Sequence, residues 1–213
     1  MKSLSQHTDY GNEGLSDDEV GSDPMALFSQ WLEQAEQAQI FEPNAMVLST
    51  IDPDGSPSSR TVLLKDLSAE GFTFVTNYDS RKGRALEIHP QVSAVFGWYG
   101  LKHQVIVNGA TEKADPKKSD ELWNRRPHGA KLASAASAQS RPVDSRASLD
   151  AALAELVAKY PEGSDVPRPS NWGAYLIRPA RIEFWAGRSM RFHDRHVFTR
   201  QPDGSWTRER LQP

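Results

Sequence analysis

Tight turns cut this chain into short apolar segments, and their spacing limits its folds more than any other feature. Asp52-Pro53-Asp54-Gly55, Glu70-Gly71, Tyr78-Asp79 and Asp203-Gly204 each read as a turn. Strand-like runs lie around the first three: Ala45 to Ile51, Ser59 to Lys65, Phe72 to Thr76, Gln91 to Trp98 and Gln104 to Asn108. Short strands joined by tight turns, with one helix inserted, predict a largely antiparallel barrel rather than a βαβ fold.

The flanks complete a mainly β chain with inserted helices, an α+β arrangement. Asp23-Pro24 is a helix start, with Asp as N-cap and Pro at the first helical position. Phe28, Trp31, Leu32 and Ala35 follow at helical spacing, and that helix ends before Pro43. Further helices are expected over Pro116 to Arg125, Ala130 to Ala136 and Ser148 to Tyr160. In the last, Leu149, Leu153, Leu156 and Val157 mark one face. The tail returns to strands: Trp172 to Ile177, Ile182 to Trp185, His196 to Arg200 and Trp206 to Leu211. Residues 1–22 are polar and acidic, with Gly11, Gly14 and Gly21, and read as a flexible segment. Residues 23–213 read as a single domain.

Composition narrows the chemistry. Of 213 residues, 38% are hydrophobic, enough for a real core, and the net charge of −3 does not suggest a general nucleic-acid binder. With no cysteine, disulfides, thiolate catalysis and Cys-based zinc sites are excluded. No apolar run approaches a membrane span, and the N-terminus has no signal-peptide core, so a cytoplasmic protein is expected.

Three groups of residues could carry chemistry. In "TNYDSRKG", Ser80 sits at a helix cap and Arg81 and Lys82 in the first turn, where cations oppose the helix dipole. With Arg60 and Lys65 from the preceding strand they read either as a phosphate cradle or as a solvated surface set. In "EFWAGRSMRFHDRH", strand alternation would bring Arg191, His193 and Arg195 onto one face, as an anion site or as a charged edge strand. In "RRPHGAKLASAASAQSRP", small residues between Arg126 and Gln139 suggest either close approach to a ligand or a loosely packed surface helix. His193 and His196 lack a metal-ligand pattern, so no metal is expected.

Taken in order, "RTVLLK", "TNYDSRKG", the Gln of "HQVIVNG", "RRP", "QSRP", "IEFWAG", "RFHDR" and the final "RLQP" resemble the pyridoxine/pyridoxamine 5′-phosphate oxidase family. The likeness covers about residues 23 to 213. It implies an FMN-binding split β-barrel that forms homodimers with FMN at the interface. The implied reaction oxidises pyridoxamine or pyridoxine 5′-phosphate to pyridoxal 5′-phosphate, with O2 as acceptor and H2O2 released. The resemblance assigns FMN contacts to Arg60, Thr61, Val62, Leu63, Leu64, Lys65, Val75, Thr76, Arg81, Lys82, Gln104, Gln139, Ser140, Trp185 and Arg195. It assigns the substrate phosphate to Lys65 and Arg126, and the substrate ring and catalysis to Arg191 and His193. Residues 1–22 become a lid over the substrate that contributes Tyr10. The chain departs from the family pattern in having Leu122 and Ala130 where Tyr and Ser help hold the phosphate. It also has His7-Thr8-Asp9-Tyr10 where the lid normally carries "RREY". A related reading is the FMN-dependent oxidase of phenazine biosynthesis, which shares "EFW" and "RLQP" but typically lacks the equivalents of Lys65 and Arg81. A non-catalytic flavin-binding protein on the same barrel is a third reading.

Overall fold

A computed structural model describes residue 1, residues 4–5 and residues 8–213 of the chain. The parts of the expected lid at residues 2, 3, 6 and 7, including His7, lie outside the described residues. The strands are β1 (Ala45–Ile51), β2 (Pro57–Ser68), β3 (Gly71–Asn77), β4 (Gln91–Trp98), β5 (His103–Lys113), β6 (Trp172–Ala186), β7 (Asp194–Arg200) and β8 (Trp206–Arg210). They form one antiparallel sheet in the order β3-β2-β1-β4-β5-β6-β7-β8, and pairing of β3 with β6 closes the first six into a barrel.

The sequence suggests two strands between Trp172 and Trp185, because Pro179 lacks an N–H for the ladder. The structure has one strand of 15 residues. Pro179 is accommodated at a bulge. Asn108 faces Arg181 and Gly109 faces Pro179, so β6 carries an extra residue there. Gly109 is required at this point: a Cβ would lie 2.1 Å from the Arg178 carbonyl oxygen. On one side of the bulge β6 pairs with β3, from Asn77↔Trp172 to Phe72↔Ile177. On the other it pairs with β7, from Arg181↔Thr199 to Ala186↔Asp194.

Helix α1 (Asp17–Val20) is a single turn, and α2 (Pro24–Gln37) contributes to the barrel core. Asp23 caps α2 by accepting the Met25 N–H at 2.8 Å. Phe28, Trp31 and Ala35 are buried, and the Phe28 ring meets Phe72 and Phe96 edge-on at 4.8 Å each. Helix α3 (Arg81–Ile88) follows β3. Helices α4 (Pro116–Asn124), α5 (His128–Ala136) and α6 (Arg146–Lys159) gather around a second cluster formed by Leu122, Trp123, Leu132, Val166, Trp172 and Ala174. The expected apolar face of α6 is only half used. Leu153 and Leu156 pack on that cluster, while Leu149 and Val157 stay exposed.

Residues 8–22 are more firmly attached than their composition suggests. Leu15 and Val20 are buried in the same cluster as Leu27 and Phe28. The Leu15 N–H donates to Asp194 Oδ2 at 3.0 Å, and Arg210 pairs with Asp17 at 3.0 Å and with Asp194 at 2.5 Å. Two buried apolar side chains and these polar contacts together hold the segment to the core and to β7 and β8. No helix among the described residues is long and apolar enough to cross a membrane.

Leu15→Ala is expected to destabilise the protein by about 2–5 kcal/mol, the range for truncating a buried leucine. Urea unfolding measures this, and an unchanged midpoint would mean that the segment is not packed in solution.

Candidate functional site

At the start of α3, Ser80 caps the helix, its hydroxyl accepting the Gly83 N–H at 3.2 Å. The two cations that follow take different routes. Arg81 reaches out to Asp52, donating to Oδ2 from Nε at 2.8 Å and Nη2 at 2.5 Å. Lys82 turns inward and is buried. Its Nζ donates only to neutral oxygens, Thr76 Oγ1 at 3.0 Å and Gln139 Oε1 at 3.1 Å. Burial, reinforced by the charge of Arg60, pushes its pKa down to about 8. Arg60 is likewise held by neutral oxygens: the Leu48 carbonyl, Thr50 Oγ1 and Ser58 Oγ. Burial lowers its pKa, with Asp52 opposing and Arg81 adding to the shift. Among the described residues, the one carboxylate that pairs with any of these three cations is Asp52, and it pairs with Arg81 alone. A half-buried excess of positive charge at a helix N-terminus fits a phosphate group.

A groove runs from this cradle along β2. One part, of about 240 Å³, is lined by Thr61, Val62, Leu63, Lys65, Val75, Thr76, Lys82, Arg126 and Gln139. The next, of about 390 Å³, is lined by Leu63, Lys65, Val75, Leu122, Arg125, Arg126, Pro127 and Ala130. Strand alternation sorts the predicted contacts. Thr61, Leu63 and Lys65 share the groove face, while Leu64 is in the core and Val62 packs against it. Val62 and Leu64 can therefore offer a ligand mainly backbone. Arg126 is half-buried over the Trp172 ring at 5.2 Å, with Nη2 on Ser134 Oγ at 2.8 Å and Nε buried without a partner. Among the described residues no carboxylate pairs with Lys65 or Arg126. Ser140, beside Gln139, is exposed and takes a left-handed φ of 69°.

The remaining predicted residues form a second cluster. Gln104 faces Trp185 across β5 and β6, and Trp185 faces Arg195 across β6 and β7. Arg195 is gripped by the buried Glu183, with Nε at 2.8 Å and Nη2 at 2.7 Å. The expectation that Arg191, His193 and Arg195 alternate on one strand is corrected here. β7 begins at Asp194, and Arg191 lies in the single 3₁₀ turn Ser189–Arg191. Met190 and Arg191 both take left-handed backbone, φ 54° and 60°. That conformation ends strand alternation and leaves Arg191 exposed at a loop tip. His193 is packed instead between Trp185, centroid distance 4.6 Å, and Tyr10, 5.5 Å. Its Nδ1 accepts the Arg188 N–H at 3.0 Å, so the neutral ring carries its proton on Nε2. Burial, then Arg191, hold its pKa below the ordinary value against the pull of Asp194. Tyr10 also meets Trp185 at 5.9 Å, and its carbonyl accepts from Lys102 at 2.8 Å. Gly187 leaves room for this packing, since a Cβ there would come within 2.8 Å of the Tyr10 ring. A cavity of about 510 Å³ opens beside this cluster, lined by Arg188, Phe192, His193, Arg210 and the C-terminal residues.

The two clusters sit at opposite ends of β6. Thr76 of the cradle pairs with Gly173, and Trp185 lies about a dozen residues further along, beyond the bulge. Within one chain the predicted residues thus divide into a cationic half and an aromatic half.

Residues 32–160 match the family model described as pyridoxamine 5′-phosphate oxidase, and residues 172–213 match the pyridoxine 5′-phosphate oxidase C-terminal dimerisation region. The chain belongs to the pyridoxine/pyridoxamine 5′-phosphate oxidase family. A pyridoxine/pyridoxamine 5′-phosphate oxidase from Streptomyces avermitilis is 49% identical over 208 residues, covering 96% of this chain and 93% of the relative. One from Salinibacter ruber is 47% identical, covering 96% of each. Among solved structures, PhzG from Burkholderia lata in complex with tetrahydrophenazine-1-carboxylic acid aligns with a TM-score of 0.88 at 33% identity. It covers 95% of this chain and 100% of that one.

Sequence reasoning missed two residues on which the family positions depend here. Asp52 was read only as part of a turn, and Glu183 only as part of "EFW". Glu183 could have been flagged by its position between Arg181 and Arg188, whereas nothing local to Asp52 announces its pairing with Arg81.

Lys82 gives the cradle a pH signature. Its folded pKa, about 8, lies below its ordinary 10.5, so the charged form is disfavoured by folding. The resulting destabilisation is complete below pH 8 and fades as pH rises toward 10.5. In phosphate-free buffer without flavin, Lys82→Met is expected to be more stabilising at pH 7 than at pH 10. Equal effects in urea unfolding at the two pH values would show that Lys82 is not buried as a cation.

Proposed function

We propose that this protein is an FMN-dependent oxidase that converts pyridoxamine 5′-phosphate and pyridoxine 5′-phosphate to pyridoxal 5′-phosphate, using O2 and releasing H2O2. The observation that carries this reading is the presence of two adjacent cationic positions. Arg60, Arg81 and Lys82 form one, and Lys65 and Arg126 the other. A cofactor and a substrate that each bear a phosphate would need both. The full-length relatives with this name support the assignment.

FMN, when bound, would supply the redox chemistry of a two-electron oxidation with O2 as acceptor, and on the amine route water would be consumed and ammonia released. The protein's part is position and charge. Arg60, Arg81 and Lys82, with Thr76 and Gln139, would hold the cofactor phosphate. Lys65 and Arg126 would hold the substrate phosphate, and this grip, remote from the reacting carbon, would orient that carbon. Thr61, Leu63, Lys65 and Val75 would line the cofactor along β2 and β3. Gln104, Trp185 and Arg195 would contact it from the other cluster. Arg191 would stabilise negative charge on the substrate ring, and His193 Nε2 would donate to the substrate or move its proton. Tyr10, edge-on to His193, would cover that wall.

Homodimerisation makes these roles compatible. The two clusters stand at opposite ends of β6 in one chain, and a second copy would bring its aromatic half to the first copy's cationic half. The match of residues 172–213 to a dimerisation region supports this arrangement.

A second reading is an oxidase of the phenazine-biosynthesis type. It is favoured by the similarity to PhzG and by the apolar Leu122 and Ala130 where the groove would meet a phosphate. Lys65 and Arg81 favour the vitamer reading.

Arg191→Ala is expected to keep its FMN and its dimeric state while kcat/KM for pyridoxamine 5′-phosphate falls at least ~100-fold, about 2.7 kcal/mol of transition-state stabilisation. Flavin reduction in a single anaerobic turnover isolates the step. Reduction at the wild-type rate and affinity would remove Arg191 from the substrate wall. Arg81→Ala is expected to weaken FMN binding by about 1.5–3 kcal/mol, the range for a hydrogen bond to a charged group. A protein that stays colourless with added FMN would sink the cofactor assignment.

A further inference from the structure

We infer that Asp52 is a positioning residue for phosphate recognition, acting through Arg81 to decide which edge of that guanidinium meets the ligand. The inference rests on the FMN reading of the cradle.

The carboxylate of Asp52 is buried, with the residue 5% exposed, although it sits at the end of a strand whose neighbours Pro53, Asp54 and Gly55 are all exposed. Its Oδ2 takes both Nε and Nη2 of Arg81. A grip on Nε and Nη2 occupies one edge of the guanidinium and fixes its plane, leaving Nη1 for another acceptor. Apart from this contact, Arg81 is a largely exposed side chain at the tip of a helix, 61% accessible even with the pair formed. Asp52 Oδ1 is buried and has no hydrogen-bond partner. A carboxylate oxygen left in that state is not explained by stability alone, because it loses its water without replacement. The charge of Asp52 also reaches Arg60, supporting its protonated form. One acid therefore holds one cradle cation by contact and supports a second by its field.

Asp52 also repels an incoming phosphate. Its removal would speed association while loosening Arg81, so the informative quantity is how well the protein distinguishes a phosphorylated flavin from one without phosphate. Riboflavin lacks the group that Arg81 would hold and shares the rest of FMN. The test uses the full-length chain stripped of flavin and retitrated with FMN or riboflavin, with binding read from flavin fluorescence. Wild type is expected to prefer FMN strongly. In Asp52→Asn, which keeps the size but can no longer accept two donors on a charged carboxylate, the preference for FMN over riboflavin is expected to fall at least ten-fold. Arg81→Lys keeps the cation but not the two-point grip and is expected to lose a similar factor. Combining it with Asp52→Asn should cost little more, because both act through one contact. If Asp52→Asn does not fold, Arg81→Lys alone is read in the same way. A preference that stays constant or rises in the folded variants, or an equal loss for both flavins, overturns the positioning role while leaving the FMN reading intact. Failure of wild type to bind either flavin overturns both.

Discussion

The course of β6 governs the rest of the molecule. Every backbone amide in a closed barrel needs a partner, and β6 must satisfy three strands at once. It runs beside β5 from Tyr175 to Ala186, closes the barrel on β3 with one half and carries β7 with the other. A straight ribbon could not leave the barrel after closing it. The bulge opposite Asn108 and Gly109 supplies the bend, and Pro179 sits at the position where a missing N–H is tolerated. The cradle stands beside β3 at one end of this strand, and Trp185 and Arg195 lie at the other.

Around the cradle the chain breaks several local rules of stability. An acid in the first turn of α3 would suit the dipole better than Arg81 or Lys82. Lys82 is buried on neutral oxygens at the expense of its proton affinity, and Arg126 keeps a buried Nε without an acceptor. Local rules broken in this way, with well-packed aromatic layers next to them, are the pattern expected of a ligand site within a stable fold.

Much of this could be read from the residues. The Asp23-Pro24 cap, the strand from Ala45 to Ile51 and the strand from Gln91 to Trp98 lie where turn chemistry and apolar runs put them. The position of the cations at Arg81 and Lys82 was legible because it contradicts the helix dipole. What could not be read depended on distant contacts. The anchorage of Leu15 and Val20 rests on β7 and β8, nearly the whole chain away. Continuity of β6 through Pro179 rests on the glycine opposite it. The loop carrying Arg191 departs from strand alternation because two non-glycine residues adopt left-handed backbone, which no pattern of apolar and polar residues announces.

The division of the predicted residues between the two ends of β6 has a genetic consequence. In a homodimer of the proposed kind each site would draw its cationic half from one copy and its aromatic half from the other. A chain damaged at Lys82 and a chain damaged at Trp185 would each be inactive alone. Mixed dimers of the two would contain one site with both defects and one with neither. Two null alleles of such a gene could therefore complement each other inside one cell, restoring up to half of the sites in every mixed dimer, whereas two alleles damaged in the same half could not.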